Sequence, residues 1–159
     1  MAADFVLRRL GALDLDLASG LHGAAFAPLG ERVWTRQDMA GLLASPGVAG
    51  WALQSGDRAI GFALCRVTAD EAELLTIAVQ PDQRRRGAGR ALLAAVTAHA
   101  RAAGARSLFL EVGADNPAAL ALYGHAAFRA VGRRKAYYQR GGGLAADAIV
   151  MRFALTSGG

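Results

Sequence analysis

The chain has 159 residues, 53% of them apolar and 19% charged, so it is long enough for one domain with a buried core and too apolar for a disordered segment. No apolar run approaches the roughly 20 residues of a transmembrane helix, and the start of the sequence lacks the basic-then-apolar order of a signal peptide. The single cysteine, Cys65, leaves no disulfide framework. We therefore expect a cytoplasmic protein in a reducing compartment, without membrane contact.

Positive charge is concentrated in one part of the chain. Residues 81–140 contain 11 Lys and Arg against 3 Asp and Glu, a net charge of +8, whereas the remainder carries −3, which gives +5 in total. This asymmetry predicts an anionic ligand or partner for the basic part. The sequence argues against nucleic acid as a direct ligand, because it has no nucleic-acid-binding motif and no set of stacking aromatics.

The first half of the chain shows alternating strand and helix patterns. Residues 4–10 read as a strand, and 14–27 and 35–44 as helices, the second with Thr35 as N-cap and Asp38 in its first turn. A hairpin around Ser55-Gly56-Asp57 and one further strand follow, with strands at 48–54, 58–67 and 71–79.

The second half continues with a helix at 89–103, whose apolar positions share one face and which ends before Gly104 as the C′ residue. The remaining segments predict a strand at 107–112, a helix from Asn116-Pro117 through Ala126, strands at 128–134 and 147–155, and a glycine-rich loop at 141–143. The element order βααβββαβαββ predicts a mixed sheet with helices packed against it. We expect one domain over residues 1–155 and a flexible tail at 156–159.

Residues 84–90 place glycines and arginines where a strand ends and a helix begins. Free backbone N–H groups at a helix N-terminus, together with the helix dipole, bind phosphate groups. Gly87 and Gly89 are expected to allow positive φ and to leave no Cβ in the way of an anion. The spacing, Arg84-x-x-Gly87-x-Gly89, is neither the dinucleotide-binding pattern nor the P-loop. An ordinary glycine-containing turn is the alternative.

This spacing resembles the acetyl-CoA loop of the GNAT N-acetyltransferases, Q/R-x-x-G-x-G/A. The segment LLTIAV before the loop, and the segments LFLEV, ADNPAALALY, RRKAYY and DAIVM after it, have the order and spacing seen in the bacterial ribosomal-protein alanine N-acetyltransferases of the RimI type, which this chain resembles. The resemblance covers about residues 70–155 and is only general before them.

The resemblance implies a GNAT-like α/β (α+β) fold, with a central mixed, mostly antiparallel sheet flanked by about four helices and splayed where acetyl-CoA binds. It also implies that acetyl-CoA, without a metal, donates acetyl by direct attack to the N-terminal α-amine of a protein, namely the alanine of a small-subunit ribosomal protein. A small amine, an antibiotic or a lysine side chain is the alternative acceptor. A module that binds RNA or the ribosome is the alternative outside the enzymes.

The resemblance assigns acetyl-CoA contacts to the end of one strand, the loop after it and a downstream asparagine. They are Ile77, Ala78, Val79, Arg84, Arg85, Arg86, Gly87, Ala88, Gly89, Arg90 and Asn116. The three strand residues would act through their backbone, because their side chains carry no reactive group. Asn116 is also a good N-cap before Pro117, and its side chain can serve both purposes. The three histidines lack metal-ligand spacing.

Glu111 is the candidate general base. In SLFLEV it shares one face of the strand with Phe109, and partial desolvation of a carboxylate favours base chemistry. The matching glutamate of RimI-type enzymes is the proposed base, acting through water. Glu111 could instead face solvent or an arginine, and Glu71 or Glu73 on the preceding strand are rival bases, which we expect to be exposed.

Tyr123 is the candidate general acid. The resemblance makes it the donor of a proton to the coenzyme A thiolate, and a phenol with a pKa near 10 is protonated at neutral pH. A core position on an apolar helix is the alternative. The family pattern has Gly where this chain has Ala127, which predicts a shifted helix cap. Arg133, Arg134, Lys135, Tyr137 and Tyr138 are expected to form either a solvated turn or a substrate-binding rim.

Overall fold

Residues 4–155, as described by a computed structural model, contain seven strands and four helices in the predicted order. The strands are β1 Phe5–Arg9, β2 Val48–Ser55, β3 Arg58–Thr68, β4 Glu71–Val79, β5 Ser107–Gly113, β6 Arg129–Gln139 and β7 Ala145–Ala154. The helices are α1 Leu15–Phe26, α2 Arg36–Ala44, α3 Ala88–Ala102 and α4 Pro117–His125. The tail predicted at 156–159 lies outside the described residues.

The strands form one sheet in the order β1-β2-β3-β4-β5-β7-β6. Every neighbouring pair is antiparallel except β4 and β5, which are joined by the crossover helix α3 and run parallel. A parallel pair needs such a crossover, whereas the antiparallel neighbours β2 and β3 are joined by the predicted tight turn. The mixed, mostly antiparallel fold class is therefore confirmed.

Each face of the sheet buries its own hydrophobic cluster. α1 and α2 cover one face, where Leu21 and Met39 are fully buried. α3 and α4 cover the other face, with Leu92 and Val96 of α3 at its centre. The inward-facing residues of β5 are those predicted from its alternation, namely Leu108, Leu110 and Val112.

Strand β6 is longer than predicted and includes the segment interpreted as a solvated turn. The register of β6 against β7 is interrupted between Arg134 and Tyr138, where Ala136 has a φ of 51°. Asp147 of β7 stabilises this bulge, because its carboxylate accepts hydrogen bonds from the Ala136 N–H at 2.8 Å and from Arg133 Nε at 2.6 Å. The turn interpretation is wrong: these residues form a bulged edge strand.

The shifted cap predicted for α4 is also wrong. Ala127 itself takes the left-handed conformation, with a φ of 70°, at the C′ position where glycine is common. The Ala127 N–H donates to the Gly124 carbonyl at 3.1 Å and the Phe128 N–H donates to the Tyr123 carbonyl at 3.0 Å. These are the two hydrogen bonds of a Schellman motif. The helix cap therefore stays in place, although Ala127 has a strained backbone conformation.

His22 is buried between α1 and the segment that leads into α2. Its Nδ1 accepts a hydrogen bond from the Trp34 N–H at 3.2 Å, and its ring stacks on the Trp34 ring with centroids 4.6 Å apart. Burial, assisted by the nearby Arg32 charge and opposed by Asp38, lowers the pKa of His22 to about 4. The imidazole is therefore neutral at physiological pH and acts as an acceptor within the core.

The low pKa of His22 makes stability depend on pH. The folded-state pKa of about 4 lies below the ordinary value of 6.5, so the neutral ring stabilises the fold above pH 6.5 and this contribution is lost as the pH falls towards 4. We expect the free energy of unfolding, measured with urea, to fall between pH 7 and pH 4. This fall should be about 3 kcal/mol larger for the wild type than for His22→Asn. The Oδ1 of the asparagine can accept the same hydrogen bond. Equal pH dependence in the two proteins would contradict this prediction.

Candidate active site

Strands β4 and β5 separate part of the way along their length. They pair only at Glu71–Ser107, Ala72–Leu108 and Glu73–Phe109. From residue 74 onwards β4 continues only beside β3, and from residue 110 onwards β5 continues only beside β7. A wedge-shaped opening therefore lies between residues 74–79 and residues 110–113, and the predicted splay of the sheet is confirmed.

A β-bulge marks the point where β4 leaves its neighbour. Leu64 of β3 pairs with Thr76 and Cys65 pairs with Leu74, so Leu75 is the extra residue on β4. A bulge bends the strand and interrupts its alternation of faces. Beyond it, Ala78 is buried in the α1–α2 cluster, while Ile77 and Val79 pack partly buried against the opposite cluster. These side chains are core residues, and their backbone borders the opening.

The loop at 84–90 leads from the end of β4 to α3 beside this opening. Arg84, Arg85, Arg86 and Arg90 are exposed, whereas Ala88 is buried at the start of the helix. Gly87 is the N-cap residue of α3 and has a φ of 88°, a conformation that residues with a Cβ rarely adopt. No side chain caps this helix, and within residues 4–155 no acceptor binds the N–H groups of Ala88, Gly89 and Arg90. They are available to an anion.

Gly89 differs from its prediction in one respect. The helix starts at Ala88, one residue earlier than expected, so Gly89 lies inside its first turn and does not have a positive φ. A Cβ added at Gly89 would lie 3.1 Å from Leu122 Cδ2 of α4. The absence of a side chain at this position therefore lets α4 pack against the start of α3, next to Tyr123.

Glu111 lies on the β5 side of the opening. Its carboxylate is half-buried, with 26% of the side chain exposed, and Oε1 is 3.2 Å from Arg134 Nε of β6. Glu111 therefore faces an arginine, and its role as the base stays a prediction. Because β7 lies between β5 and β6, Arg134 must reach across one strand to make this ion pair.

Glu73 and Glu71 share a cleft with Glu111. The cleft has a volume of about 340 Å³ and is bordered by all three glutamates and by Arg66 and Arg134. Glu73 and Glu71 are exposed, as predicted. The cleft therefore places two further carboxylates on the same face of the sheet as Glu111, and both are rival candidates for the base.

Asn116 and Tyr123 occupy the start and the last turn of α4. The predicted cap is confirmed, since Asn116 Oδ1 accepts a hydrogen bond from the Ala119 N–H at 3.1 Å. This leaves the amide NH₂ group of Asn116 as a donor for a ligand. The contact of Asn116 with acetyl-CoA stays a prediction.

The Tyr123 ring is buried, with its edge against Phe128 at a centroid distance of 5.8 Å. Its hydroxyl makes no hydrogen bond within residues 4–155, yet no side-chain oxygen or nitrogen of those residues is both buried and unpaired. Burial, and secondarily the Tyr138 phenol, raises the pKa of Tyr123 above its ordinary value, so the hydroxyl keeps its proton at neutral pH.

One cluster near the site has no counterpart in the sequence predictions. Arg140, which follows β6, forms ion pairs with Glu31 at 2.6 Å and with Asp115 at 2.9 Å. Its partners are 109 and 25 positions away, so no local pattern connects the three residues. Only the chain fold brings them together.

Metal-binding groups and membrane-spanning helices are both absent from the described residues. Within residues 4–155 no three His, Cys, Asp or Glu side chains are grouped so that they could hold a metal ion. None of the helices in this part of the chain is long and apolar enough to cross a membrane.

Comparison with known proteins identifies the family. Residues 19–128, more than half of the chain, match the acetyltransferase (GNAT) family. The chain belongs to this family, as the sequence resemblance predicted.

Within the family, this chain is similar in sequence to two bacterial N-terminal acetyltransferases. The [ribosomal protein bS18]-alanine N-acetyltransferase of Salmonella typhimurium is 43% identical over 99 residues, which are 62% of this chain and 66% of the relative. The N-alpha-acetyltransferase RimI of Mycobacterium tuberculosis is 36% identical over 159 residues and 96% of each chain. The chain thus matches about two thirds of the length of the Salmonella protein and nearly all of the mycobacterial one.

Solved structures support the same fold. The crystal structure of the ribosomal-protein-S18-alanine N-acetyltransferase from Escherichia coli has a TM-score of 0.87 and 32% identity, and the match covers 98% of this chain and 97% of that chain. Arabidopsis thaliana NAA60 in complex with acetyl-CoA has a TM-score of 0.82 at 21% identity, with 95% and 98% of the two chains covered. The second likeness concerns the fold alone.

Proposed function

We propose that this chain transfers acetyl from acetyl-CoA to the N-terminal α-amine of a protein, with the N-terminal alanine of ribosomal protein bS18 as its target. The observation that carries the proposal is the opening between β4 and β5, which has the uncapped start of α3 at one end and Glu111 on one side. The names of the bacterial relatives support the choice of acceptor. We also propose that residues 1–155 act as one domain in the cytoplasm.

The loop at 84–90 is assigned to the pyrophosphate of acetyl-CoA. Its free N–H groups, the positive end of the α3 dipole and four exposed arginines together favour a polyanion at this point. The edge of β4 that β5 leaves unpaired at residues 77–79 offers backbone groups to the pantetheine arm, and the Asn116 amide offers a further donor. This set fits a long anionic ligand that runs from the loop into the opening.

Acetyl transfer to an amine needs a proton acceptor and a proton donor. The amine nitrogen forms a bond to the acetyl carbon while the carbon–sulfur bond breaks. We assign the proton released by the amine to Glu111, through a water, and the proton gained by the thiolate to Tyr123. The phenol of Tyr123 is protonated at neutral pH, as a proton donor must be.

An N-terminal α-amine suits a site with one modest base. Its pKa is near 8, whereas that of lysine is about 10.4, so a larger fraction of the α-amine is already neutral at pH 7. A carboxylate acting through water is adequate for the remaining deprotonation. Lysine would need more complete deprotonation by the same site.

The first prediction concerns the cofactor loop. A β-branched residue resists the φ of 88° at position 87, so Gly87→Val should weaken acetyl-CoA binding about tenfold or more in calorimetry, equivalent to about 1.4 kcal/mol. Gly87→Asn is the matched control, because asparagine tolerates the left-handed region and should bind more tightly than the valine variant. Wild-type affinity in Gly87→Val would exclude the loop as the pyrophosphate site.

The acceptor is tested with peptides that differ only at their N-terminus. We expect mass spectrometry to show one added acetyl on a peptide that starts with the bS18 alanine. The same peptide with its α-amine blocked should gain none, even when it contains lysine. Acetylation of the blocked peptide would instead favour a lysine or small-amine acetyltransferase. Salt-sensitive RNA binding without acetyl transfer would favour the binding module.

The base is tested by comparing two glutamates of one cleft. Glu111→Gln keeps the shape but cannot take a proton, so turnover should fall by a factor of about 100 to 10,000, and the deficit should shrink as the pH rises past the pKa of the amine. Acetyl-CoA affinity should be retained. Glu73→Gln, on the same face of the sheet, should keep its activity.

A second control separates proton transfer from the loss of an ion pair. Arg134→Gln breaks the same Glu111–Arg134 contact but leaves the carboxylate in place. If Arg134→Gln lost as much turnover as Glu111→Gln at every pH, the glutamate would be a partner of the arginine rather than a base. If only Glu73→Gln lost turnover, the base would lie on β4.

A further inference from the structure

Among the described residues, Arg140 is the one basic residue that forms two salt bridges. Its side chain is only 8% exposed, although it lies just after an edge strand. Nε and Nη2 donate to the two oxygens of Asp115 at 2.9 Å each, and Nη1 donates to Glu31 Oε1 at 2.6 Å. The guanidinium also lies over the Tyr138 ring, 4.8 Å from its centroid. The group thus uses both its fork of donors and its flat face.

The backbone of β5 leaves room for this arrangement. A Cβ added at Gly113 would lie 2.5 Å from Arg140 Nη2 and 2.5 Å from Asp115 Oδ1. Any side chain at this position would therefore displace the ion pair. The space at the end of β5 is shaped around the arginine.

The contacts of Arg140 join three segments that are distant in sequence. Glu31 belongs to the connection between α1 and α2, Asp115 directly precedes the N-cap of α4, and Tyr138 is near the end of β6. Arg140 itself lines a cleft of about 720 Å³, whose walls are residues 27–30 before Glu31, residues 114–115 after β5, and residues 144–147 at the start of β7. Arg140 thus lies where all three walls of the cleft meet.

Tyr138 lies against the Arg140 guanidinium beside this cleft. Its pKa is raised to about 12, mainly by burial and then by the charges of Glu111 and Glu31. The phenol therefore lies within electrostatic reach of both the candidate base and the loop after α1. Asp115, which accepts two hydrogen bonds from Arg140, follows the end of β5, so the arginine is fixed to the strand that carries Glu111.

We propose that Arg140 is a positioning residue that clamps the connection after α1 and the Tyr138 ring together and so sets the shape of the cleft for the acceptor peptide. This role rests on the proposed function, since it names the peptide as the ligand of the cleft. Arginine is required because a lysine ammonium cannot donate to two carboxylates in a fixed plane while lying flat on an aromatic ring.

The clamp is tested by steady-state kinetics on the full chain with an alanine-starting peptide. Arg140→Lys keeps the charge, and Glu31→Gln keeps the shape but severs only the link to the connection after α1. Each should raise KM for the peptide about tenfold, the size expected for one lost charged hydrogen bond. In Glu31→Gln the affinity for acetyl-CoA and kcat should stay close to those of the wild type.

The matched control is Arg8→Lys. Arg8 forms a similar two-bond ion pair with Asp14, at 2.9 Å for each bond, but at the opposite edge of the sheet. This variant should lose some thermal stability and keep the peptide KM of the wild type. If Arg140→Lys and Glu31→Gln left the peptide KM unchanged, or if Arg8→Lys raised it equally, the positioning role would be overturned.

Hydrogen exchange separates this inference from the proposed function. If the wild type acetylated no peptide, the proposed function would fail and KM could not be measured. The clamp would still predict faster amide exchange at residues 27–31 and 138–146 in Arg140→Lys than in Arg8→Lys. Equal exchange of these segments in the two variants would overturn the clamp whatever the enzyme does.

Discussion

Three residue pairs hold the two halves of the sheet together. β4 and β5 pair only from Glu71 to Glu73 on one strand and from Ser107 to Phe109 on the other. β4 otherwise follows β3, and β5 follows β7, so each strand satisfies its backbone on one side only beyond this junction. An unpaired strand edge is costly unless water or a ligand satisfies it. The opening is therefore the place where the fold itself provides free backbone groups for a substrate.

Capping residues and the alternation of apolar residues predicted most of the helices and strands. The bounds of β4 were predicted to the residue, and the caps of α2 and α4 follow from Thr35 and Asn116, whose side chains bind the first turns. The errors occur where backbone strain or edge pairing decides the outcome. Ala127 adopts a left-handed conformation in spite of its Cβ, and β6 extends through a bulge that Asp147 stabilises from the neighbouring strand.

The candidate site was predicted less completely, because its parts come from distant positions. The loop spacing indicated the start of α3, and alternation placed Glu111 opposite the core face of β5. The partner of Glu111 could not be found this way, since Arg134 lies two strands away in an order that places β7 between β5 and β6. The strand order, and not any motif, determines which charges meet.

The basic part of the chain separates in the fold into two groups with different surroundings. Within residues 4–155, Arg84, Arg85, Arg86 and Arg90 form no salt bridge, although Arg86 donates to Gln83 at 2.7 Å. Three arginines, two in β6 and one directly after it, are instead paired with carboxylates, in Arg133–Asp147, Arg134–Glu111 and Arg140–Asp115. A continuous basic surface for RNA would need both groups uncompensated. The excess positive charge is instead concentrated at the start of α3, where free amides and the helix dipole already favour an anion.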